Sequence, residues 1–87
     1  MEIITKNKFE KDIKRLKKRQ KDFSKLEIVI KKLIEGTTLE DKYKNHLLVG
    51  NWQPCYELHL EPDWLLIYQI TKAQLTLYRT GTHSYLF

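Results

Sequence analysis

The run Glu57-Leu58-His59-Leu60-Glu61-Pro62-Asp63-Trp64-Leu65-Leu66-Ile67-Tyr68 leaves few folds open to this chain. It reads as strand, tight turn, strand. Leu58 and Leu60 alternate with Glu57 and His59, the period of a half-buried strand. Pro62-Asp63 marks the turn, because proline presets φ and aspartate can bond its own backbone. Trp64 to Tyr68 is a denser apolar run, as expected of a more deeply covered strand. Three strands are expected here, at about Cys55–Leu60, Trp64–Thr71 and Leu75–Gly81, with a second short connection around Lys72-Ala73. Short connections make neighbouring strands antiparallel, which gives a meander.

The first half of the chain reads differently. Glu2 to Thr5 is a short β-prone run. Asn7 and Glu10 have the spacing of a capping pair. Phe9, Ile13, Leu16 and Gln20 then share one helical face, with Lys11, Lys14 and Lys18 opposite, so residues 8–21 read as an amphipathic helix with a cationic outer stripe. Ser24-Lys25-Leu26-Glu27 is a capping box for a second helix, whose stripe is Leu26, Val29, Ile30 and Leu33. Gly36 is placed to end it in the left-handed conformation. Ile28 lies off that stripe. Two helices so closely connected form an antiparallel hairpin. Residues 37–54 carry few element signals, with punctuation at Thr37-Thr38, Gly50-Asn51 and Pro54. The order β-α-α-β-β-β predicts an α+β fold, one domain over residues 1–87, with the N-terminal strand and helix hairpin packed on an antiparallel sheet.

Charge divides the chain at the same place. Residues 1–35 hold 12 Lys and Arg against 6 acids, whereas residues 36–87 hold 4 against 5. A basic half beside a neutral half suits a polyanionic partner, and equally a solvated lysine-rich helix face. The apolar runs fall far short of the ~20 residues a membrane helix needs, and the N-terminal residues lack a signal-peptide core. A single cysteine, Cys55, agrees with a reducing compartment, so the cytoplasm is the expected location. Three histidines and one cysteine match no common zinc spacing, and neither metal nor cofactor is expected.

The meander brings His59, Asp63, Arg79 and His83 to one end of the sheet, and His46 in the long segment could reach it. With two-residue loops at both turns, His59 stands opposite Leu66, and Leu66 opposite Arg79. Histidine can give or take a proton near neutrality, and arginine offers a planar charged fork for phosphate. Cutting RNA without a metal needs those parts: a base for the 2′-hydroxyl, an acid for the leaving 5′-oxygen and a cation beside the charged phosphorane. Each residue also has an ordinary reading. The histidines could be exposed, Asp63 only a turn former, Arg79 paired with Glu57 or Glu61, and Trp52 and Trp64 packing residues.

Three motifs carry a family resemblance over essentially the whole chain. Tyr43-Lys44-Asn45-His46-Leu47-Leu48-Val49-Gly50 resembles "Y-K-D-H-x-L-x-G", with Asn45 where Asp is frequent. His59-Leu60-Glu61-Pro62-Asp63-Trp64-Leu65-Leu66-Ile67-Tyr68 resembles "H-x-x-P-D-W-[IL]-L-[IV]-Y". Arg79-Thr80-Gly81-Thr82-His83-Ser84-Tyr85-Leu86-Phe87 resembles "R-x-G-[ST]-H-x-x-L-F". All three belong to the YafQ group of the RelE superfamily of bacterial toxins. The resemblance implies a ribosome-dependent endoribonuclease that cuts messenger RNA, neutralised by a cognate antitoxin. It implies a monomeric toxin that assembles further with the antitoxin. The implied catalytic residues are His46, His59, Asp63, Arg79 and His83, with Trp64 and Phe87 as aromatic support in contact with the substrate. Asp63 or a histidine would be the base, His83 the acid and Arg79 the phosphate clamp. Lys11, Lys14 and Lys18 would then face RNA. The alternative is a ParE-like toxin that binds DNA gyrase without cutting RNA, on a similar fold.

Overall fold

Trp64–Ile70 (β4) is the middle strand of a five-stranded sheet and is buried on both faces through most of its length. The computed structural model describes all 87 residues. The other elements are β1 (Glu2–Thr5), α1 (Asn7–Lys18), α2 (Ser24–Glu35), β2 (His46–Leu47), β3 (Tyr56–Glu61), β5 (Gln74–Gly81) and α3 (His83–Leu86), with 3₁₀ turns at Asp41–Tyr43 and Gly50–Trp52. The sheet order is β1-β5-β4-β3-β2. β1 runs parallel to β5 and the remaining pairs are antiparallel. The α+β architecture with its helix hairpin is as expected, on a mixed sheet. Two short pieces were missing from the expectation: β2 inside the long segment, and the helical turn α3.

The helix stripes do what their spacing implies. Phe9 and Leu16 from α1 and Leu26, Val29 and Leu33 from α2 join Leu58, Leu60, Trp64, Leu66, Tyr68, Leu75 and Leu77 in one apolar layer. The opposite face of the sheet is covered too. Cys55, Leu65, Ile67 and Leu86 form a second cluster, flanked by Leu48, Trp52 and Tyr78. Burial also raises the Cys55 thiol above its ordinary value, so this lone cysteine behaves as a small hydrophobe.

Both helix starts differ from the expected caps. Asn7 is already helical, and Glu10 accepts from the Thr5 hydroxyl at 2.8 Å instead of closing a box with Asn7. At α2 the cap comes from Asp22, whose Oδ1 accepts from Ser24 N at 3.0 Å and Ser24 Oγ at 2.6 Å. Those two bonds hold the Asp22 carboxyl below its usual range. α1 stops at Lys18, and Gln20 turns out of the helix with φ 56°. Gly36 ends α2 at φ 71°, the left-handed stop that its position predicts.

The two hairpin turns have the expected length, yet the register differs. Glu61 pairs with Trp64 across the Pro62-Asp63 turn, but His59 pairs with Leu65, leaving Leu60 as an extra residue on β3. Likewise Tyr68 pairs with Leu77 while Ile67 pairs with Arg79, leaving Tyr78 as an extra residue on β5. Each β-bulge advances one strand by one residue relative to its partner.

The loop that carries His46 is tied down through β4. The Tyr68 hydroxyl donates to Asn45 Oδ1 at 2.6 Å, and the Tyr68 ring stacks on Tyr56 at 5.8 Å. Burial pushes the Tyr68 phenol up to about 12. The unfolded chain ionises this group near 10, so its contribution is complete below pH 10 and is lost as pH rises towards 12. Urea denaturation between pH 9 and 12 should show a stability loss of about 2 kcal/mol from this group, and Tyr68→Phe should flatten that decline. An unchanged slope in the variant would assign the alkaline loss elsewhere.

Candidate active site

The bulges decide which side chains meet at the turn end of the sheet. Directly opposed residues share a face, so the observed pairs make two cross-strand rows, whose Leu65 and Ile67 belong to the cluster opposite the helices. One row runs His46–Glu57–Ile67–Arg79 and the next runs His59–Leu65–Gly81. The expected trio of His59, Leu66 and Arg79 is therefore corrected. Leu66 is fully buried in the helix-side layer, and His59 and Arg79 lie in adjacent rows flanking Leu65 and Ile67.

Glu57 connects two of the histidines. It is 7% exposed, and its Oε1 lies 3.5 Å from His59 Nε2 and 3.8 Å from His46 Nε2. The other ring nitrogens also face oxygen. His46 Nδ1 is 2.7 Å from Lys44 O, and His59 Nδ1 is 3.2 Å from Pro62 O. Only the two Nδ1 contacts are hydrogen bonds; the Nε2 contacts are close approaches of the Glu57 carboxylate.

Asp63 and His83 meet through the backbone. The His83 N–H, at the first residue of α3, donates to Asp63 Oδ1 at 3.1 Å. Thr82 caps the same turn by accepting from Tyr85 N at 3.2 Å. Asp63 thus ties the β3–β4 turn to the tail and keeps a second carboxylate oxygen at the surface. The His83 ring is exposed and lies 5.1 Å from the Phe87 ring, which in turn meets Trp52 edge-on at 5.7 Å. Leu86 is buried beneath them, whereas Phe87 stays 48% exposed.

Arg79 does not pair with Glu57 or Glu61. Its partner is Asp12 of α1, a carboxylate only 2% exposed. Arg79 Nε donates to Asp12 Oδ2 at 2.8 Å and Arg79 Nη2 to Oδ1 at 3.1 Å. These bonds hold the guanidinium even more firmly charged than usual. Glu61 is gripped elsewhere, by Lys25 at 2.9 Å and Lys21 at 3.1 Å, which keep its carboxyl below the ordinary value.

Trp64 needs a correction as a substrate contact. It is fully buried, donates from Nε1 to Thr80 Oγ1 at 2.9 Å and meets Phe23 edge-on, so it supports the site from inside the core. Lys11, Lys14 and Lys18 are all exposed on the outer side of α1. Glu57 and Asp12 are the charged residues that the motifs did not single out. Asp12 carried a signal nonetheless: it lies three residues after Phe9 and four before Leu16, on the buried stripe. No three His, Cys, Asp or Glu side chains are arranged to hold a metal ion.

A basic α+β domain with imidazoles, carboxylates and a fixed guanidinium at one sheet end has the equipment of a small acid–base enzyme. A family model described as the bacterial toxin of the type II toxin–antitoxin system, YafQ, matches residues 1–87. The chain is 45% identical over 80 residues to the mRNA interferase toxin YafQ of Escherichia coli K12, covering 91% of this chain and 87% of that protein. The structure of the E. coli DinJ–YafQ complex superposes with a TM-score of 0.91 at 41% identity, covering 99% of this chain and 97% of that one. A copper-bound mutant toxin from Helicobacter pylori superposes with a TM-score of 0.94 at 36% identity, over 100% and 99% of the two chains. This chain belongs to the YafQ family of type II toxins, within the RelE superfamily.

Proposed function

We propose that this protein is the toxin of a bacterial toxin–antitoxin pair, an endoribonuclease that cuts messenger RNA on the ribosome and so stops translation. Its partners are a cognate antitoxin, the ribosome and the messenger. No helix is long and apolar enough to cross a membrane, and the reaction belongs in the cytoplasm, where the ribosomes are. The observation that carries this reading is the gathering of His46, His59, Asp63, Arg79 and His83 around one end of the sheet in a chain of this family.

In the proposed chemistry no metal is required. Asp63, with a free carboxylate oxygen, takes the proton from the 2′-hydroxyl. His83, exposed at the start of α3, gives one to the leaving 5′-oxygen. Arg79 steadies charge on the phosphorane. His46 and His59, each beside the Glu57 carboxylate, flank the site as further groups that can bond the phosphate. Lys11, Lys14 and Lys18 supply the salt-dependent attraction to ribosomal RNA.

Induced expression should arrest growth and yield messenger cuts in phase with the reading frame, and co-expression of the antitoxin should abolish both. Purified protein should cut free RNA poorly, because so small a surface positions a flexible strand badly without the ribosome. Gyrase-linked DNA breaks with intact messengers would instead identify a ParE-like binder.

A further inference from the structure

Asp12 occupies a costly place for a carboxylate. It sits on the apolar stripe of α1 and is 2% exposed, and burying a charge there costs more than burying a leucine. A simple tie between α1 and β5 would not need it. Its bonds are selective. The two oxygens take the Nε and Nη2 hydrogens of Arg79, the side edge of the fork, and Oδ2 also accepts from Thr80 N at 3.1 Å. That consumption leaves the Nη1 end of the guanidinium, 17% exposed overall, as the part free to meet an anion.

The surroundings close off other orientations. Arg15 lies 3.5 Å from Asp12 Oδ1, donates to Thr80 O at 3.4 Å and stacks at 3.6 Å on the Tyr85 ring of α3. Arg15 can lie there because residue 81 is glycine, where an added Cβ would come within 2.9 Å of Arg15 Nη2. One carboxylate thus anchors Arg79 directly and braces the turn bearing His83 through Arg15 and Tyr85.

We propose that Asp12 is a positioning residue for RNA cleavage: by holding the Nε–Nη2 edge of Arg79, it aims the remaining end of the guanidinium at the scissile phosphate. This rests on the reading of Arg79 as the phosphate clamp. Without Asp12 the long side chain samples several rotamers, and misplacement of this kind costs rate more than affinity.

The test is a double-mutant cycle on ribosome-bound messenger under single-turnover conditions, at saturating protein, with melting temperatures measured alongside. Asp12→Asn keeps the shape but cannot accept at both positions, and should slow cleavage about tenfold or more with ribosome affinity near normal. Arg79→Ala should slow it roughly 10²-fold. The double variant should match Arg79→Ala alone, since Asp12 then has nothing to aim. A double variant slower than Arg79→Ala by the full Asp12→Asn factor would show a structural role only and overturn the proposal. So would an Asp12→Asn protein at wild-type rate. If Arg79→Ala itself cleaves normally, the clamp reading fails first, and this inference with it. Should Asp12→Asn not fold, the wild-type protein still decides. The Arg79 Nε–H should exchange with solvent far more slowly by ¹⁵N NMR than that of exposed Arg19, and equal rates would sink the proposal.

Discussion

His83→Ala lowers the single-turnover rate of messenger cleavage by roughly 10²-fold or more, while binding to the ribosome weakens much less. The expectation follows from where the ring sits. His83 opens α3, its backbone is pinned to Asp63, and its ring is exposed with one face towards Phe87. Nothing in the core depends on that imidazole, so folding should survive its loss. A proton donor to the leaving oxygen contributes only as the bond breaks, so its removal should lower the maximal rate and leave half-saturation nearly unchanged. His83→Gln should fare no better, because an amide can hydrogen-bond but cannot deliver the proton. A variant that cleaves at near-normal rate would transfer the acid role to His46 or His59.

The second large effect is at the tail. Removing Phe87 alone should leave the melting temperature almost unchanged and reduce cleavage about 5- to 150-fold, the range of 1–3 kcal/mol for one stacked base. Leu86 is the residue that fills the core, among Cys55, Leu65 and Ile67. Phe87 lies outside that cluster, half exposed, between the His83 ring and Trp52. Its loss would free the imidazole to rotate and remove an aromatic face near the reacting phosphate. Thermal melts and single-turnover cleavage of the same preparation separate the possibilities. Full cleavage, or a loss that tracks unfolding, would return Phe87 to a packing role.

How far the residues alone reached depends on the kind of interaction. Helices α1 and α2 and strands β3, β4 and β5 were legible because each rests on a local period, and the Pro62-Asp63 turn on local chemistry. The bulges at Leu60 and Tyr78 were not, because both hairpin turns allow an unbroken ladder. The sheet is covered on both faces, and the register that goes with this is not recorded in any single strand. The same blindness hid Glu57. Its alternation with Leu58 places it away from the helices, which looks like solvent until residues 48–52 and the tail cover that face. Asp12 was the nearer miss, since its place on the apolar stripe was visible between Phe9 and Leu16. The end-of-sheet gathering needed only the meander. Its internal arrangement needed the bulges.

The parallel pairing of β1 with β5 has a bearing on how the protein is made. Glu2 to Thr5 find their strand partner only in Gln74 to Leu77, and β5 is also the strand that lies against α1. Until residues 74–81 have been synthesised, β1 has no neighbour and α1 lacks the strand it lies against most closely. Contacts so distant along the chain form late, after the cost of closing the intervening loop has been met. The nascent polypeptide therefore remains incompletely folded until β5 has been made. Up to that point the ribosome producing it meets a form whose Arg79 and His83 are unmade. Competence arrives only after β5 has docked between β1 and β4 and α3 has followed it.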